Sequence, residues 1–215
     1  SPGGFSSQAL GAGAKVLRLD GSEADMGEVG ELVVTQPPMG LTPTIWQDKV
    51  RYLETYWSTF PGVWCHGDWV RHDPDGTWYI LGRSDDTLNI AGKRIGPPEI
   101  EAAMTLTGKV IDAAAIGVPD ALKGVAVVVV CVAAPGVTPD AALIDFLKDA
   151  VGSAVSRPFR PREIHFVEAL PKTRTMKTMR RTVRAAFLGE DPGDLSSVQN
   201  PESIGPIEAL RGTQT

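Results

Sequence analysis

The sequence predicts an α+β chain: a β-rich, loop-rich N-terminal stretch followed by a compact α+β unit. Three observations predict it. A turn sequence, Asp73-Pro-Asp-Gly76, separates two apolar-polar runs and reads as a hairpin. After Asp85-Asp86 the pattern resets into helix, strand, strand, helix and strand. The apolar run from Val125 to Ala134 is far too short to cross a bilayer and reads as a buried strand.

In order along the chain, Glu31-Leu-Val-Val-Thr reads as a strand and Pro37 to Pro43 as loop. Tyr52, Tyr56, Trp57 and Phe60 recur at helical spacing, an aromatic face that packs on a core. Residues 1–64 are too short and loop-rich to build a core alone, so they read as the end of something larger. For the hairpin, a four-residue loop sets His72 opposite Thr77. Asp68 then faces Leu81, with Arg83 diagonally beyond it on the same face. Two such side chains can grip a diol, and they equally suit an exposed cross-strand ion pair.

Pro97-Pro-Glu opens a helix whose inner face is Ile100, Ala103 and Met104. Val110–Val118 and Val125–Ala134 read as strands. Thr138-Pro139 starts a second helix, with an apolar stripe at Leu143, Phe146, Leu147, Ala150, Val151 and Ala154. Ile164-His-Phe-Val is a further short strand. Residues 189–215 show little periodicity and read as a loosely ordered tail.

Composition bounds the function. The 215 residues carry a formal charge of -5, 42% hydrophobic and 22% charged residues, ordinary values for a globular protein. Nothing in the sequence has the pattern of a secretory signal or a membrane span. Two cysteines, Cys65 and Cys131, make no disulfide framework, and with three scattered histidines they show no zinc spacing. A reducing, cytoplasmic setting is expected. Between Arg157 and Arg184, nine Lys and Arg face only Glu163 and Glu168. One basic segment in an acidic chain points to a local anion site; few aromatics interleave with it, so a nucleic-acid surface is not expected. Lys177, Arg180, Arg181 and Arg184 fall at i, i+3, i+4 and i+7: one basic face if helical, suited to phosphates or to water.

Three segments carry the chemistry: Gly67-Asp-Trp; Gly82-Arg-Ser-Asp-Asp-Thr-Leu-Asn-Ile-Ala-Gly-Lys-Arg-Ile-Gly-Pro-Pro-Glu-Ile-Glu101; and Leu170-Pro-Lys-Thr-Arg-Thr-Met-Lys-Thr-Met-Arg-Arg181. Together and in this order they resemble the adenylate-forming (AMP-binding) superfamily, most closely its AMP-forming acetyl-CoA synthetase branch, over about residues 28–190. The Gly-Arg-x-Asp-Asp core and the downstream Leu-Pro-Lys-Thr-Arg-x-x-Lys are the specific signals. The resemblance implies a fold in which residues 1–84 are the edge of a large β-rich N-terminal domain. Residues 85–188 would then form the small mobile C-terminal domain and 189–215 the tail.

It further implies an acid–CoA ligase using ATP (released as AMP), CoA and Mg2+, with a short-chain, acetate-like carboxylate as substrate. By motif, Asp68 resembles the carboxylate that binds the ribose hydroxyls, and Arg83 its partner on the same ribose. Arg94 resembles the arginine near the nucleotide phosphates, Asp85 the hinge, and Gly92 the glycine beside the CoA pantetheine passage. Lys177 resembles the catalytic lysine of adenylation. The family's phosphate loop, adenine segments and acyl pocket precede the matched region, so the upstream large domain is an expected partner and the chain alone is expected to be inactive. Another acid in the same superfamily, and a non-catalytic anion- or partner-binding module, are the alternative readings. One departure stands out: where the family usually has glycine before the lysine, this chain has Met176, which a left-handed backbone would strain.

Overall fold

A computed structural model describes residues 3–36, 38–90, 93–121 and 124–213, with side chains to residue 211. The chain divides into two compact units between Asp85 and Asp86.

The first unit is built on a four-stranded antiparallel sheet in the order β1 (Ala14–Leu17), β2 (Val29–Val34), β3 (Trp64–His72), β4 (Trp78–Arg83). Helix α1 (Lys49–Tyr56), capped by the Asp48 carboxylate accepting from the Arg51 N–H, contacts β3. The expected aromatic face is helical only in its first half: Tyr52 is buried and Tyr56 stacks on Trp64, whereas Trp57 caps the helix and Phe60 is buried beyond its end. The core is correspondingly small, with Leu17, Val33, Phe60 and Cys65 at its centre.

The β3–β4 register differs from the expected one. His72 pairs with Trp78, and Asp68 lies directly opposite Arg83, not Leu81. Two local features cause the slip. Gly76, at φ 84°, takes a left-handed conformation that closes the turn, so Asp73 rather than His72 pairs with Thr77. Further along, Trp69 pairs with Gly82 while Val70 pairs with Ile80, so Leu81 is an extra, bulged residue. The diagonal pair of the sequence reading becomes a facing pair.

The second unit opens with a small hairpin, β5 (Leu88–Ile90) and β6 (Lys93–Ile95), then α2 (Pro97–Thr105). Its sheet pairs β7 (Val110–Asp120) antiparallel with β8 (Gly124–Ala133), and β8 parallel with β9 (Glu163–Phe166). The unbroken apolar run of β8 follows from burial on both faces. Ala113, Ala115, Val127, Val129 and Cys131 pack with α2 and α3 (Ala141–Ala154). Their neighbours Ala114, Ile116, Ala126, Val128 and Val130 join Val183, Phe187, Ile204 and Ile207, which lie on α4 (Arg180–Leu188) and α5 (Ile204–Ala209).

Three expectations change here. Helix α3 starts at Ala141 under an Asp140 cap, two residues past Pro139, and Phe146 and Ala154 are exposed rather than part of its inner stripe. Residues 201–213 are not a loose tail: they form short helical turns around α5, with Ile204 and Ile207 buried. Lys177 precedes α4, so it does not share a helical face with Arg180, Arg181 and Arg184. Nor is that face a diffuse cation: Arg180 pairs with Glu101, Arg181 lies 3.9 Å from Asp86, and Arg184 pairs with Glu190.

Candidate functional site

Asp68 sits in the middle of β3, opposite the last residue of β4, 8% exposed, with its Oδ1 3.9 Å from Arg83 Nη1. The second carboxylate oxygen lies against His66 Nδ1. Arg83 also donates to the His66 carbonyl at 3.3 Å and reaches Asp85, 3.3 Å from Nε and 3.4 Å from Nη2. The backbone that allows this is Gly67. Its φ is 83°, a conformation that favours glycine, and a Cβ there would stand 2.9 Å from Arg83 Nη2 and push the guanidinium aside. Its N–H donates to Glu31 at 2.9 Å, a carboxylate only 5% exposed in the middle of β2.

Acceptor oxygens and guanidinium donors thus face each other across a ladder without closing into a tight pair. A vicinal diol complements such a gap, since each hydroxyl can donate to the carboxylate and accept from the guanidinium. Burial also pushes the nearby Cys65 thiol up to about 11, with the Glu31 carboxylate adding to the effect. That sulfur is a packed neighbour, not a nucleophile.

In the second unit, Lys177 closes a tight hairpin. The Thr173 N–H donates to the Lys177 carbonyl at 2.9 Å, the Met176 N–H to the Thr173 carbonyl at 2.8 Å, and the Lys177 N–H to Thr173 Oγ1 at 3.1 Å. Met176 takes φ 63°, the left-handed geometry that glycine would adopt without strain. Lys177 is exposed, and among the described residues its ammonium makes no ion pair. Most other basic side chains of that segment are engaged: Lys172 with Asp112 at 2.7 Å, Arg160 with Asp149 at 2.9 Å, and Arg162 with Glu163 at 2.8 Å. Arg94 is exposed on β6, opposite Asn89. Gly92 lies outside the described residues.

Residues 99–177 match the family model described as the AMP-binding enzyme C-terminal domain. Residues 99–177 of the second unit belong to the AMP-binding enzyme C-terminal domain. With the strands before it, the chain is 38% identical over 189 residues to the acetyl-coenzyme A synthetase of Pyrobaculum arsenaticum, covering 88% of this chain and 28% of that protein. It is 39% identical to the propionate–CoA ligase of Salmonella typhimurium over 87% of this chain and 31% of the relative. Among solved structures, the acetoacetyl-CoA synthetase from Streptomyces lividans superposes with a TM-score of 0.87 at 30% identity, over 99% of this chain and 32% of that one. The chain therefore spans under a third of the length of these relatives. The AMP-binding C-terminal domain and the strands preceding it share the α+β fold of adenylate-forming enzymes.

Asp68, Arg83 and Asp85 converge in the first unit; Arg94 and Lys177 stand on separate hairpins of the C-terminal domain. The sequence reading missed His66 and Glu31 beside Asp68, and Asp112 and Glu101 in the C-terminal domain. Glu31 carries a readable signal, a carboxylate heading an apolar run. Asp112 and Glu101 carry none, because their partners lie far away in sequence: Lys172 and Thr178 for Asp112, Ala115 and Arg180 for Glu101. Among the described residues no helix is long and apolar enough to cross a membrane.

Proposed function

We propose that the chain is the C-terminal portion of an acid–CoA ligase that turns a short-chain carboxylate, ATP and CoA into acyl-CoA, AMP and pyrophosphate through an acyl-adenylate. The observation that carries this reading is the Asp68–Arg83 pair, a buried carboxylate facing a guanidinium at 3.9 Å, too open for a tight ion pair and shaped for the ribose diol of the nucleotide. Lys177 supplies the adenylation cation. A carboxylate must attack an already anionic α-phosphate, and an ammonium bridging both relieves the repulsion and follows the charge into the transition state. Its lack of an ion-pair partner among the described residues suits that task.

Arg94 is assigned to the nucleotide phosphates and Gly92 to the pantetheine passage, both by motif. Asp85 is assigned to the hinge, a role supported by the division of the chain at that residue. Mg2+ is assigned by the family resemblance to arrive with ATP, and no step here runs through it. Two buried free thiols, Cys65 and Cys131, suit a reducing cytoplasm.

Acetate is the proposed acid, on the strength of the acetyl-CoA synthetase and propionate–CoA ligase relatives. The likeness to an acetoacetyl-CoA synthetase over 99% of the chain favours acetoacetate as a second reading. The test is pyrophosphate exchange into ATP. The 215-residue chain alone is expected to be inactive. Expressed with the upstream reading frame of its own gene, it should exchange in the presence of acetate, propionate or acetoacetate, and the acid with the highest kcat/KM decides between the readings. No exchange with any of the three would overturn the short-chain assignment.

A further inference from the structure

The hairpin that presents Lys177 is held from outside by the C-terminal segment. Its arms pair through the Met179 N–H donating to the Pro171 carbonyl at 2.9 Å and a bridge between Lys172 and Thr178. A third segment lies alongside: Val198 bridges Thr173, and the Gln199 N–H donates to the Lys172 carbonyl at 2.7 Å. The Asn200 side chain completes the ladder. Its Oδ1 accepts from the Lys172 N–H at 2.9 Å, and its Nδ2 donates to the Leu170 carbonyl at 2.9 Å. One carboxamide thereby satisfies two backbone groups of the arm entering the hairpin, as a peptide unit of a neighbouring strand would.

The arm leaving the hairpin is held by the same segment. Immediately after Asn200 the chain turns into α5, whose Ile204 and Ile207 are buried with Val183 and Phe187 of α4, the helix that begins three residues after Lys177. Asn200 also accepts from the Ser203 N–H and hydroxyl, at 3.1 and 2.8 Å, which fixes it to the start of that turn. A strained left-handed residue, Met176, sits at the tip. A two-armed hairpin this short is marginal by itself, and the hydrogen bonds from a third segment raise the cost of opening it.

We infer that Asn200 is a positioning residue for Lys177: the C-terminal segment 198–207 clamps the lysine hairpin so that the ammonium is presented in one geometry. The inference rests on the ligase reading only for what Lys177 does; the clamp itself is a property of this chain. Misplacing a positioned charge by about 1 Å can cost up to about 10²-fold in rate, so loosening the clamp should slow adenylation while leaving nucleotide binding alone.

Two measurements test it. In the 215-residue chain, Asn200→Ala should speed amide hydrogen exchange at Thr173, Met176 and Lys177 by about 10-fold or more, with Val128 and Val130 in the sheet unchanged. Asn200→Asp, which keeps the acceptor for Lys172 and loses the donor to Leu170, should fall between. If Asn200→Ala also loses protection at Val128, the aspartate variant decides alone. In the complete enzyme, Asn200→Ala should lower the kcat of adenylation by on the order of 10-fold at unchanged KM for ATP, with thioester formation from supplied acyl-adenylate unaffected. Unchanged exchange at the hairpin, or equal losses in both half-reactions, overturns the inference. A Lys177→Ala enzyme that adenylates normally would instead overturn the role of the lysine, and the exchange data would still judge the clamp.

Discussion

Met176 occupies the turn position that Gly76 occupies in the β3–β4 hairpin. In both loops the first residue's N–H donates to the carbonyl of the fifth, Asp73 to Thr77 and Thr173 to Lys177, each at 2.9 Å. In both, the fourth residue donates back to the first, Gly76 to Asp73 at 2.9 Å and Met176 to Thr173 at 2.8 Å. The fourth residue is left-handed each time, at φ 84° and φ 63°. The geometry that glycine adopts freely at 76 is imposed on a methionine at 176, immediately before the proposed catalytic lysine.

Met176→Gly should therefore stabilise the chain. A left-handed non-glycine residue costs about 1–2 kcal/mol, and the extra freedom of glycine in the unfolded chain offsets about 0.5–1 kcal/mol of that. Met176 is 64% exposed, so little packing is lost. A net gain of about 0.5–1 kcal/mol should appear as a raised urea midpoint at constant slope. A lowered midpoint would show that the thioether contributes contacts outweighing the strain. Adenylation by the complete enzyme should change little, because the loop already has the required shape.

The Arg180–Glu101 pair ties three elements of the second unit together. Glu101 accepts from Arg180 Nε at 2.6 Å and from the Ala115 N–H at 3.0 Å, tying α2 to α4 and β7. That hydrogen bond holds the Arg180 guanidinium above its ordinary pKa against the opposing effect of burial. Removing one partner strands the other charge with little water. Arg180→Met should cost about 3 kcal/mol, the low end for a buried pair since Arg180 keeps a quarter of its side-chain surface in solvent. Arg180→Met/Glu101→Gln, which removes both charges and keeps an acceptor for the Ala115 N–H, should recover much of that in thermal unfolding. A double variant no better than the single one would mean that the pair is not the source of the loss.

The sheet of the second unit was legible because a strand covered by helices on both faces must be apolar throughout, and Val125 to Ala134 is. The hairpin around Gly76 was legible in place but not in register: whether a turn residue goes left-handed, and whether Leu81 bulges, depends on a single backbone dihedral and on neighbours across the sheet. The C-terminal helix was illegible because its two buried residues, Ile204 and Ile207, sit among Pro201, Gly205 and Pro206, too short a stretch for periodicity to register. The Asp68–Arg83 convergence could be read because both ends lie on one hairpin. The Asp112 and Asn200 contacts around the lysine hairpin could not, since only folding brings those segments together.

The two thiols predict a pH dependence. Burial pushes Cys131 up to about 12, and burial with the Glu31 charge pushes Cys65 up to about 11, from 9.0 in the unfolded chain. Both are protonated in either state below pH 9, so their contribution to stability is then fully present. As pH rises beyond 9 the unfolded chain loses protons that the folded one keeps, and stability falls until the folded pKa values are passed. Urea midpoints should decline from pH 9 to 10.5, and the decline should shrink in a Cys65→Ala/Cys131→Ala variant. An unaltered slope in that variant would assign the decline to other groups.

Asp85 tests the hinge. Proline fixes φ and removes an N–H, so Asp85→Pro in the complete enzyme should trap one orientation of the C-terminal domain. If the trapped state is the adenylating one, pyrophosphate exchange survives and thioester formation collapses. Because Asp85 also contacts Arg83 at 3.3 Å, Asp85→Ala is the control for losing that carboxylate alone. Equal loss of both half-reactions in the proline variant would remove Asp85 as the pivot.

Lys177 and Lys172 separate a positioned cation from a general basic field. Lys177 is exposed and without an ion pair among the described residues, so Lys177→Ala should leave the folded state nearly as stable as before. In the complete enzyme it should lower adenylation by on the order of 10²–10³-fold, the usual loss for one preorganised electrostatic contact. Thioester formation from supplied acyl-adenylate should be nearly unchanged if, as proposed, the lysine serves adenylation alone. Lys172 is engaged differently, 2.7 Å from an Asp112 carboxylate that also accepts from the Thr178 hydroxyl at 3.3 Å. Lys172→Ala should cost about 1 kcal/mol of stability and only a modest part of adenylation, through a looser hairpin. If the nine basic residues acted only as a diffuse field, both variants would show similar, small and salt-sensitive losses. Measured at 50 and 500 mM salt, that pattern would remove Lys177 from the chemistry, whereas a large, salt-insensitive loss confined to Lys177→Ala and to adenylation would keep it there.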